Sequence, residues 1–238
     1  MASVRDIQTA LNNKGFSPGS IDGIWGRNTI KAVRAFQSAN GLTVDGIIGP
    51  NTLGKLFGVA APAAGGAPAA SAAAPAVWYE EAKRLLGLRE GPGSRDNPTI
   101  IDWADQLGID YDHDDIPWCG LFVAHCVGAT LPDEPLPDNP LGARNWARFG
   151  EAADKAPGAI LVFWRESQNS GKGHVGFYRG EDATAFHVLG GNQSDSVSVT
   201  RVAKNRCLAI RRPRTSGQLA GGVVDVPTGG TALSTDEA

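Results

Sequence analysis

The stretch Pro117-Trp118-Cys119-Gly120-Leu121-Phe122-Val123-Ala124 decides the fold of the larger part of the chain. Nearly every position after the cysteine is apolar as far as Val127, which predicts a helix over 118–127 that is covered on all sides. An aspartate in the preceding stretch 112–115 is expected to cap this helix, and Pro117 suits its first turn. The pattern therefore predicts that Cys119 lies at the open end of a central helix.

Cys119 is the candidate nucleophile. The unpaired N–H groups and the positive dipole end of a first helical turn stabilise a thiolate, and the cysteine N–H can help to bind an oxyanion. Cys126, at mid-helix, and Cys207 are interpreted as small core residues. The chain has three cysteines, which do not make a disulfide framework. Cys119 and Cys126 are separated by about 10 Å of helical rise, which is too far for a bridge.

His174 is the candidate base, and a polar group farther along is expected to orient it. Cysteine, histidine and a polar residue in this chain order are the parts of a thiolate nucleophile. If the hairpin after His174 is centred near residue 182, Asn192 shares the face of His174, whereas His187 points to the other face. A single bulge would exchange the two. We expect Asn192 to hold the imidazole tautomer, keep His187 as the alternative, and assign no role to Gln193.

The region around these motifs is predicted to be an α+β domain. Helices are expected over 78–86, 98–107 and 118–127, and strands over 159–164, 174–178, 184–189 and 208–211. A helical half followed by a β half with hairpin-length connections indicates a mainly antiparallel sheet packed on helices.

The N-terminal segment contains an internal repeat. The sequence Asp22-Gly23-Ile24-Trp25-Gly26-Arg27-Asn28-Thr29 recurs as Asp45-Gly46-Ile47-Ile48-Gly49-Pro50-Asn51-Thr52. Each copy reads as an Asp-Gly turn followed by a helix cap, and apolar residues at helical spacing predict three short helices. The aspartates and glycines are expected to form turns. Trp25 is the candidate for ligand contact, and filling the small core is the alternative that stays open.

Composition divides the chain into four segments. We predict a three-helix module over 1–57, a flexible Ala/Pro linker over 58–76, an α+β domain over 77–214 and a disordered tail over 215–238. The linker contains no charged residue, and the tail is rich in Gly, Ser and Thr and ends acidic.

Charge and hydropathy exclude several functional classes. The net charge of −3 gives no reason to expect nucleic-acid binding. Residues 1–57 hold six Lys/Arg and three Asp/Glu, a balance of +3 that suits an anionic polymer. No signal-peptide pattern and no run of membrane-spanning length is visible. We expect a monomer that is made in the cytoplasm, does not insert into membranes and reaches its site of action by another export route.

The motifs resemble those of two known families. The repeat resembles the small three-helix peptidoglycan-binding module of many wall hydrolases. The segments Pro-Trp-Cys-Gly-x-Phe-Val, Gly-His-Val-Gly-Phe-Tyr and Leu-Gly-Gly-Asn-Gln together look like papain-like peptidoglycan hydrolases of the CHAP and NlpC type, over residues 78–213. The resemblance implies a papain-like catalytic domain with Cys119 as nucleophile and His174 as base. Asn192 is compatible with the third position, and Trp118 with 144–146 either lines the cleft or packs internally.

Metal binding is not expected. His113, Asp114, Cys119, His125 and Cys126 lack the paired short spacing of a zinc site. The aspartates at 110, 112, 114 and 115 could hold calcium, as in some CHAP relatives, but their spacing is not that of an EF-hand, and a solvated loop with a helix cap is preferred. We therefore predict no cofactor.

Together these features imply a modular enzyme that cleaves an amide bond in bacterial peptidoglycan. The expected context is a phage or prophage endolysin that crosses the membrane through holin-type pores and acts on the cell wall. Endopeptidase and N-acetylmuramoyl-L-alanine amidase activity both stay open. The alternatives from other classes are a catalytically inactive wall-binding protein and a hydrolase of small soluble amides.

Overall fold

The computed structural model describes residues 3–23, 27–42, 44, 46, 48, 50–58, 76–93, 95–227 and 232–234. The chain divides into two units, Met1–Ala70 and Ser71–Ala238. Trp25 and residues 59–75 of the predicted linker lie outside the described residues. None of the helices in the described ranges is long and apolar enough to cross a membrane.

The first unit contains the three predicted helices. They are α1 (Val4–Asn13), α2 (Arg27–Ala39) and α3 (Pro50–Phe57). Helix α1 begins with a capping box, in which Ser3 and Asp6 each bond the main-chain N–H of the other. The apolar faces of the helices share one small core, made by Ile7, Leu11, Ala32, Val33, Phe36 and Leu56.

Buried glutamine side chains explain the repeat. Gln8, in α1, accepts a hydrogen bond from the N–H of Gly23 at 2.8 Å and donates to Asp22 at 2.9 Å and Thr29 at 3.1 Å. Gly23 has a φ of 81°, a left-handed conformation that favours glycine. In this copy the Asp, Gly and Thr of the repeat therefore hold a turn around a glutamine.

The second copy of the repeat uses the same device. Gln37, in α2, accepts from the N–H of Gly46 at 2.8 Å and donates to Thr52 at 3.2 Å. Gly46 has a φ of 75°. Both turns are thus tied to a buried amide, which supports the interpretation of the repeated residues as turn formers.

The second unit is a mixture of helices and antiparallel sheet, as predicted. Its helices are α4 (Val77–Arg84), α5 (Pro98–Leu107) and α6 (Cys119–Thr130). All twelve residues of α6 are buried, which confirms the central position expected from its sequence. Short 3₁₀ turns occur at Ala143–Arg148, Lys204–Arg206 and Arg214–Ser216.

The sheet has six strands, and every pairing in it is antiparallel. The strands are β1 (Glu151–Ala152), β2 (Ile160–Trp164), β3 (Gly173–Glu181), β4 (Ala185–Gly190), β5 (Ser198–Ala203) and β6 (Cys207–Arg212), in the spatial order β1-β6-β2-β3-β4-β5. Four of them, β2, β3, β4 and β6, were predicted. Strand β1 is too short to show a pattern, and β5 is a half-buried edge strand with few large apolar residues.

Both faces of the sheet are covered. One face packs on α4, α5 and α6 through Ile160, Val162, Val175, Phe177 and Leu189. The opposite face forms a second cluster that contains Leu161, Phe163, Tyr178, Phe186, Val188 and Val202. Burial on both sides explains why β2 reads as a continuous apolar run.

The described part of the C-terminal segment differs from the disorder predicted for 215–238. Residues Arg214 and Thr215 donate main-chain N–H groups to the buried carboxylate of Glu134, each at 2.9 Å. Farther on, the N–H of Val226 bonds the carbonyl of Glu181, and the N–H of Glu181 bonds the carbonyl of Val224, both at 2.8 Å. The sequence did not predict these contacts, because main-chain groups make most of them and main-chain bonds leave little pattern in the sequence.

A buried carboxylate joins α4 to α6. Glu81 accepts hydrogen bonds from Arg84 at 2.6 Å and from His125 at 3.2 Å, and His125 stacks on Trp103 at 4.7 Å between ring centroids. Burial raises the pKa of Glu81, but its bonds to Arg84 and His125 outweigh burial and lower the pKa to about 2.

This depressed pKa predicts acid sensitivity. The ionised form of Glu81 stabilises the fold above its unfolded pKa of 4.5, and that contribution is lost as pH falls towards about 2. We expect a loss on the order of 3 kcal/mol over this range in the wild type. Glu81→Gln should flatten the pH profile of urea unfolding, whereas Glu80→Gln, at an exposed position of the same helix, should retain it. Parallel profiles for wild type and Glu81→Gln would contradict the assignment.

The glutamine clamp gives a second prediction. Gln8→Ala leaves the Gly23 N–H without its acceptor, which is expected to cost the first unit about 1–3 kcal/mol. Hydrogen exchange of the full chain should then accelerate in α1 and α2 and remain unchanged in β2 and β3. Gln106→Ala, at an exposed position of α5, is the matched control.

Candidate active site

Cys119 is the first residue of α6, as predicted, and only 2% of it is exposed. The next residue, Gly120, allows a neighbouring loop to approach the helix end. A Cβ at Gly120 would lie 2.2 Å from the carbonyl oxygen of Pro140 and 2.6 Å from that of Leu141. Only glycine therefore fits beside the candidate nucleophile, and the loop holds the start of the helix in place.

The predicted aspartate cap of α6 is wrong. The N-cap residue is Trp118, and no side chain caps the helix there. Asp114 is instead buried, and its carboxylate accepts from the N–H groups of Gly91 at 2.8 Å and Asn97 at 2.7 Å. The carboxylate is thus used to organise the loop before α5.

Trp118 was a candidate for lining a substrate cleft, with internal packing as the alternative, and the structure buries it completely. Its indole N–H donates to Glu90 at 2.6 Å. The ring also packs against the chain at Gly191, where a Cβ would lie 2.5 Å from the Trp118 ring. Trp118 therefore fixes the start of α6 from the inside and presents no open aromatic face.

The surroundings of Cys119 act on its thiol in opposite directions. Burial raises the pKa of Cys119, and hydrogen bonds from the N–H groups of Val175 and Gly120, together with the charge of Arg165, oppose that rise. By contrast, burial and the Glu81 carboxylate raise the pKa of Cys126 far above its usual range, and burial raises that of Cys207 to about 11. Cys119 differs from the other two because it receives an N–H from a neighbouring strand.

That strand also carries His174. The histidine is fully buried near the start of β3, directly before the Val175 N–H that faces the Cys119 sulfur. Its Nε2 lies 3.1 Å from Oε1 of Gln193. The structure thus brings together Cys119, the strand residues His174 and Val175, and Gln193, a residue for which no role was predicted.

The orientation of the Gln193 amide follows from its neighbours. Its NH₂ group faces the carbonyl oxygens of Val188 at 3.3 Å, Gly190 at 3.2 Å and Ser198 at 2.6 Å. Because three acceptors surround the nitrogen, the amide oxygen must be the atom that faces His174. Thr200 also donates to that oxygen at 2.8 Å. Because the Gln193 oxygen can only accept a hydrogen bond, Nε2 of His174 must carry the hydrogen. In the neutral form of the ring, Nδ1 is then the basic nitrogen.

His187 and Asn192 were the predicted partners of His174. His187 bonds Asp182 at 2.9 Å near the far end of the hairpin. Asn192 is buried close to the site but has no hydrogen bond to His174 among the described contacts, and its φ is 56°. Gln193, rather than Asn192, is therefore the residue with a described bond to His174, and the role of Asn192 stays a prediction.

The end of strand β4 shows why strand alternation cannot assign Asn192. Phe177 pairs with Leu189, and a bulge shifts the pairing between Tyr178 and Gly180. Strand β4 ends at Gly190, and the next residues include three in left-handed conformations, Asn192, Ser194 and Asp195. Strand alternation therefore does not extend to residue 192. The signal available in the sequence was the Gly-Gly-Asn-Gln stretch itself, which indicates a turn rather than a continued strand.

A metal site requires a group of ligand side chains placed close together. Within the described part of the chain, no group of three or more His, Cys, Asp or Glu side chains is arranged to hold a metal ion. Of the aspartates considered for calcium, Asp110, Asp112 and Asp115 are exposed, and Asp114 is bonded to the main chain as described above.

The family comparison concerns the first unit. Residues 1–56 match the family model "Putative peptidoglycan binding domain". The N-terminal unit is therefore similar to domains of that family. No solved structure matches the chain.

Three curated relatives share short stretches with it. The chain is 39% identical over 65 residues to the N-acetylmuramoyl-L-alanine amidase CwlM of Mycobacterium tuberculosis, which covers 27% of this chain and 16% of that protein. It is 43% identical over 61 residues to a "Probable N-acetylmuramoyl-L-alanine amidase" of Bacillus licheniformis, covering 23% and 17%. An uncharacterised protein of Kitasatospora aureofaciens is 40% identical over 55 residues, covering 23% and 47%. The chain thus spans less than a fifth of either amidase.

The geometry predicts a difference in thiol reactivity. In wild type, iodoacetamide at pH 8 should alkylate Cys119 and leave Cys126, inside α6, unmodified. His174→Ala should slow the alkylation of Cys119 several-fold, because the group that accepts the thiol proton is lost. Peptide mapping by mass spectrometry reports each site, and Cys207 serves as the internal control. An unchanged rate at Cys119 would show that His174 does not act on this thiol.

Proposed function

We propose that the chain is a modular peptidoglycan hydrolase whose second unit is a papain-like cysteine hydrolase domain. The observation that carries this proposal is the arrangement of Cys119 at a buried helix end, the adjacent Val175 N–H, and His174 bonded to Gln193. The match of residues 1–56 to a peptidoglycan-binding family supports the polymer as substrate.

The reaction begins with a proton transfer. His174 Nδ1 takes the proton of the Cys119 thiol, and the sulfur attacks the amide carbonyl carbon, forming a C–S bond. N–H groups of the first turn of α6 have no partner within the helix and can stabilise the resulting oxyanion. Collapse breaks the C–N bond while the imidazolium donates its proton to the leaving amine. Water then gives a proton to His174 and attacks the thioester, and the released sulfur regains a proton.

Gln193 acts in this scheme as a positioning residue. Its oxygen holds the Nε2–H of His174, which keeps the basic nitrogen on the side of the ring nearest the main chain. The amide is itself held by main-chain carbonyls and Thr200, so the tautomer is selected before substrate binds.

The two units have complementary roles in the proposal. Residues 1–57 bind the wall, residues 58–76 act as a tether, and residues 77–214 cleave. A tethered catalytic domain works at a high effective concentration near its polymer. Deleting residues 1–57 should therefore reduce lysis of whole sacculi more than cleavage of soluble muropeptides, and equal losses would contradict the tethering role.

Either of two amide bonds fits the arrangement. An endopeptidase would cut within the stem peptide or cross-bridge, and an amidase would cut at the junction of sugar and peptide. The names of two relatives fit the amidase. Mass spectrometry of fragments released from purified sacculi identifies the bond through its new N-terminus. The phage or prophage setting and holin-dependent release stay predictions.

Substitution at the site tests the mechanism. Cys119→Ala is expected to abolish clearing in a peptidoglycan zymogram, and equal clearing by the variant and wild type would contradict a cysteine hydrolase. A complete lack of clearing by wild type would favour an inactive wall-binding protein.

Gln193 and Asn192 can be told apart by a matched pair. Gln193→Ala should lower kcat by about 10–100-fold with little change in KM, because a mispositioned base affects the chemical step. Asn192→Gly suits the left-handed backbone and should stay within about threefold of wild type. The rate of muropeptide release from sacculi measures the activity of both variants. A larger loss of kcat in Asn192→Gly than in Gln193→Ala would assign the orienting role to Asn192.

A further inference from the structure

A cavity of about 830 Å³ lies in the second unit, between residues 135–150, Leu208 near the start of strand β6, and Arg214. Its wall includes the apolar residues Leu136, Phe149 and Leu208. The volume lies within the range of small-ligand sites in proteins. None of the residues assigned to the proposed reaction lines it.

The charge of the cavity is strongly one-sided. Three arginines line it, Arg144, Arg148 and Arg214, against a single carboxylate, Asp138. Arg148 is exposed and forms no ion pair with a described residue. The buried carboxylate of Glu134 lies nearby and accepts hydrogen bonds from the main-chain N–H groups of Arg214 and Thr215. These bonds hold Arg214 at the cavity wall. An anionic group entering the cavity would meet an excess of positive charge.

The cavity adjoins the candidate active site through shared elements. The stem of Arg144 lies on Gly173, where a Cβ would come within 2.6 Å of Arg144 Cγ, and His174 is the next residue. The same loop that forms the cavity packs its carbonyl groups at Pro140 and Leu141 against Gly120, the residue after Cys119. A ligand that reaches both the cavity and the sulfur would therefore extend across one loop.

We propose that this cavity binds the carboxylate-bearing part of the peptide substrate. The inference rests on the proposed function, since it assigns a subsite to the same reaction. Arginine is suited to carboxylates because its guanidinium can donate two parallel hydrogen bonds. Arg148 supplies the charge that is not engaged by the protein, and the apolar wall accepts the aliphatic part of the peptide.

Binding to the full chain carrying Cys119→Ala tests the subsite without turnover. The probe is a disaccharide peptide released from sacculi by a muramidase, compared with the same peptide after amidation of its carboxylates. Calorimetry should show about tenfold tighter binding of the free acid, with a difference that shrinks as salt rises. Equal affinity for both peptides, or no binding of either, would overturn the proposal.

Added substitutions locate the effect. Arg148→Gln in the Cys119→Ala background should remove most of the preference for the free acid, and Arg148→Lys should restore part of it. Arg179→Gln, at an exposed position of β3 outside the cavity, should leave the preference unchanged. The first unit has the same sequence in all these variants, so peptide binding by that unit contributes equally to each measurement. An unchanged preference in Arg148→Gln would place the selectivity elsewhere.

The failure of the subsite and that of the proposed reaction are distinguishable. If wild type cleaves sacculi but no variant alters the peptide preference, the cavity proposal fails and the cysteine hydrolase stands. If wild type does not cleave sacculi but Arg148→Gln removes the preference, the cavity binds carboxylates and the proposed reaction fails.

Discussion

Helix α6 has no side that faces solvent, and the rest of the second unit is arranged around this constraint. Its neighbours must come close on every side, which requires small residues at the contacts. A Cβ on Gly128 would lie 2.7 Å from Leu107, and one on Gly191 would lie 2.6 Å from Phe122. In a helix enclosed in this way, only the residues at an end can contact a substrate. The N-terminal end is where backbone N–H groups are available, and Cys119 occupies it.

The same enclosure explains how the imidazole is oriented. The turn after β4 must cross the start of α6, and it does so through glycines and three non-glycine residues with left-handed φ angles. Such conformations are uncommon and persist where surrounding contacts determine them. Here the contacts are the bonds of Gln193 to Gly190, Ser198 and Thr200. The strained turn and the choice of histidine tautomer thus depend on one buried amide.

Local patterns predicted most of the fold and the positions of two candidate site residues in it. Helical spacing located α5 to the residue, because its proline, cap and terminal glycine all act within the segment. The positions of Cys119 and His174 likewise follow from local rules. Gln193 could not be found in that way, since β4 ends at Gly190 and the left-handed turn after it ends the alternation from which Asn192 was chosen. The contacts of 215–227 were missed because main-chain pairing carries little sequence signal.

The burial of Cys119 decides which kind of nucleophile the site can make. Because burial raises the pKa of this thiol, the resting sulfur is protonated near neutral pH and the proton must leave during the reaction. A carboxylate beside His174 would favour a charged imidazolium, whereas the neutral Gln193 adds no charge and selects only the tautomer. In the proposed reaction, Nδ1 is therefore the nitrogen of His174 that accepts the thiol proton. We infer that the site depends on a preset proton acceptor rather than on a stored thiolate, which is consistent with a glutamine, and not an acid, at this position.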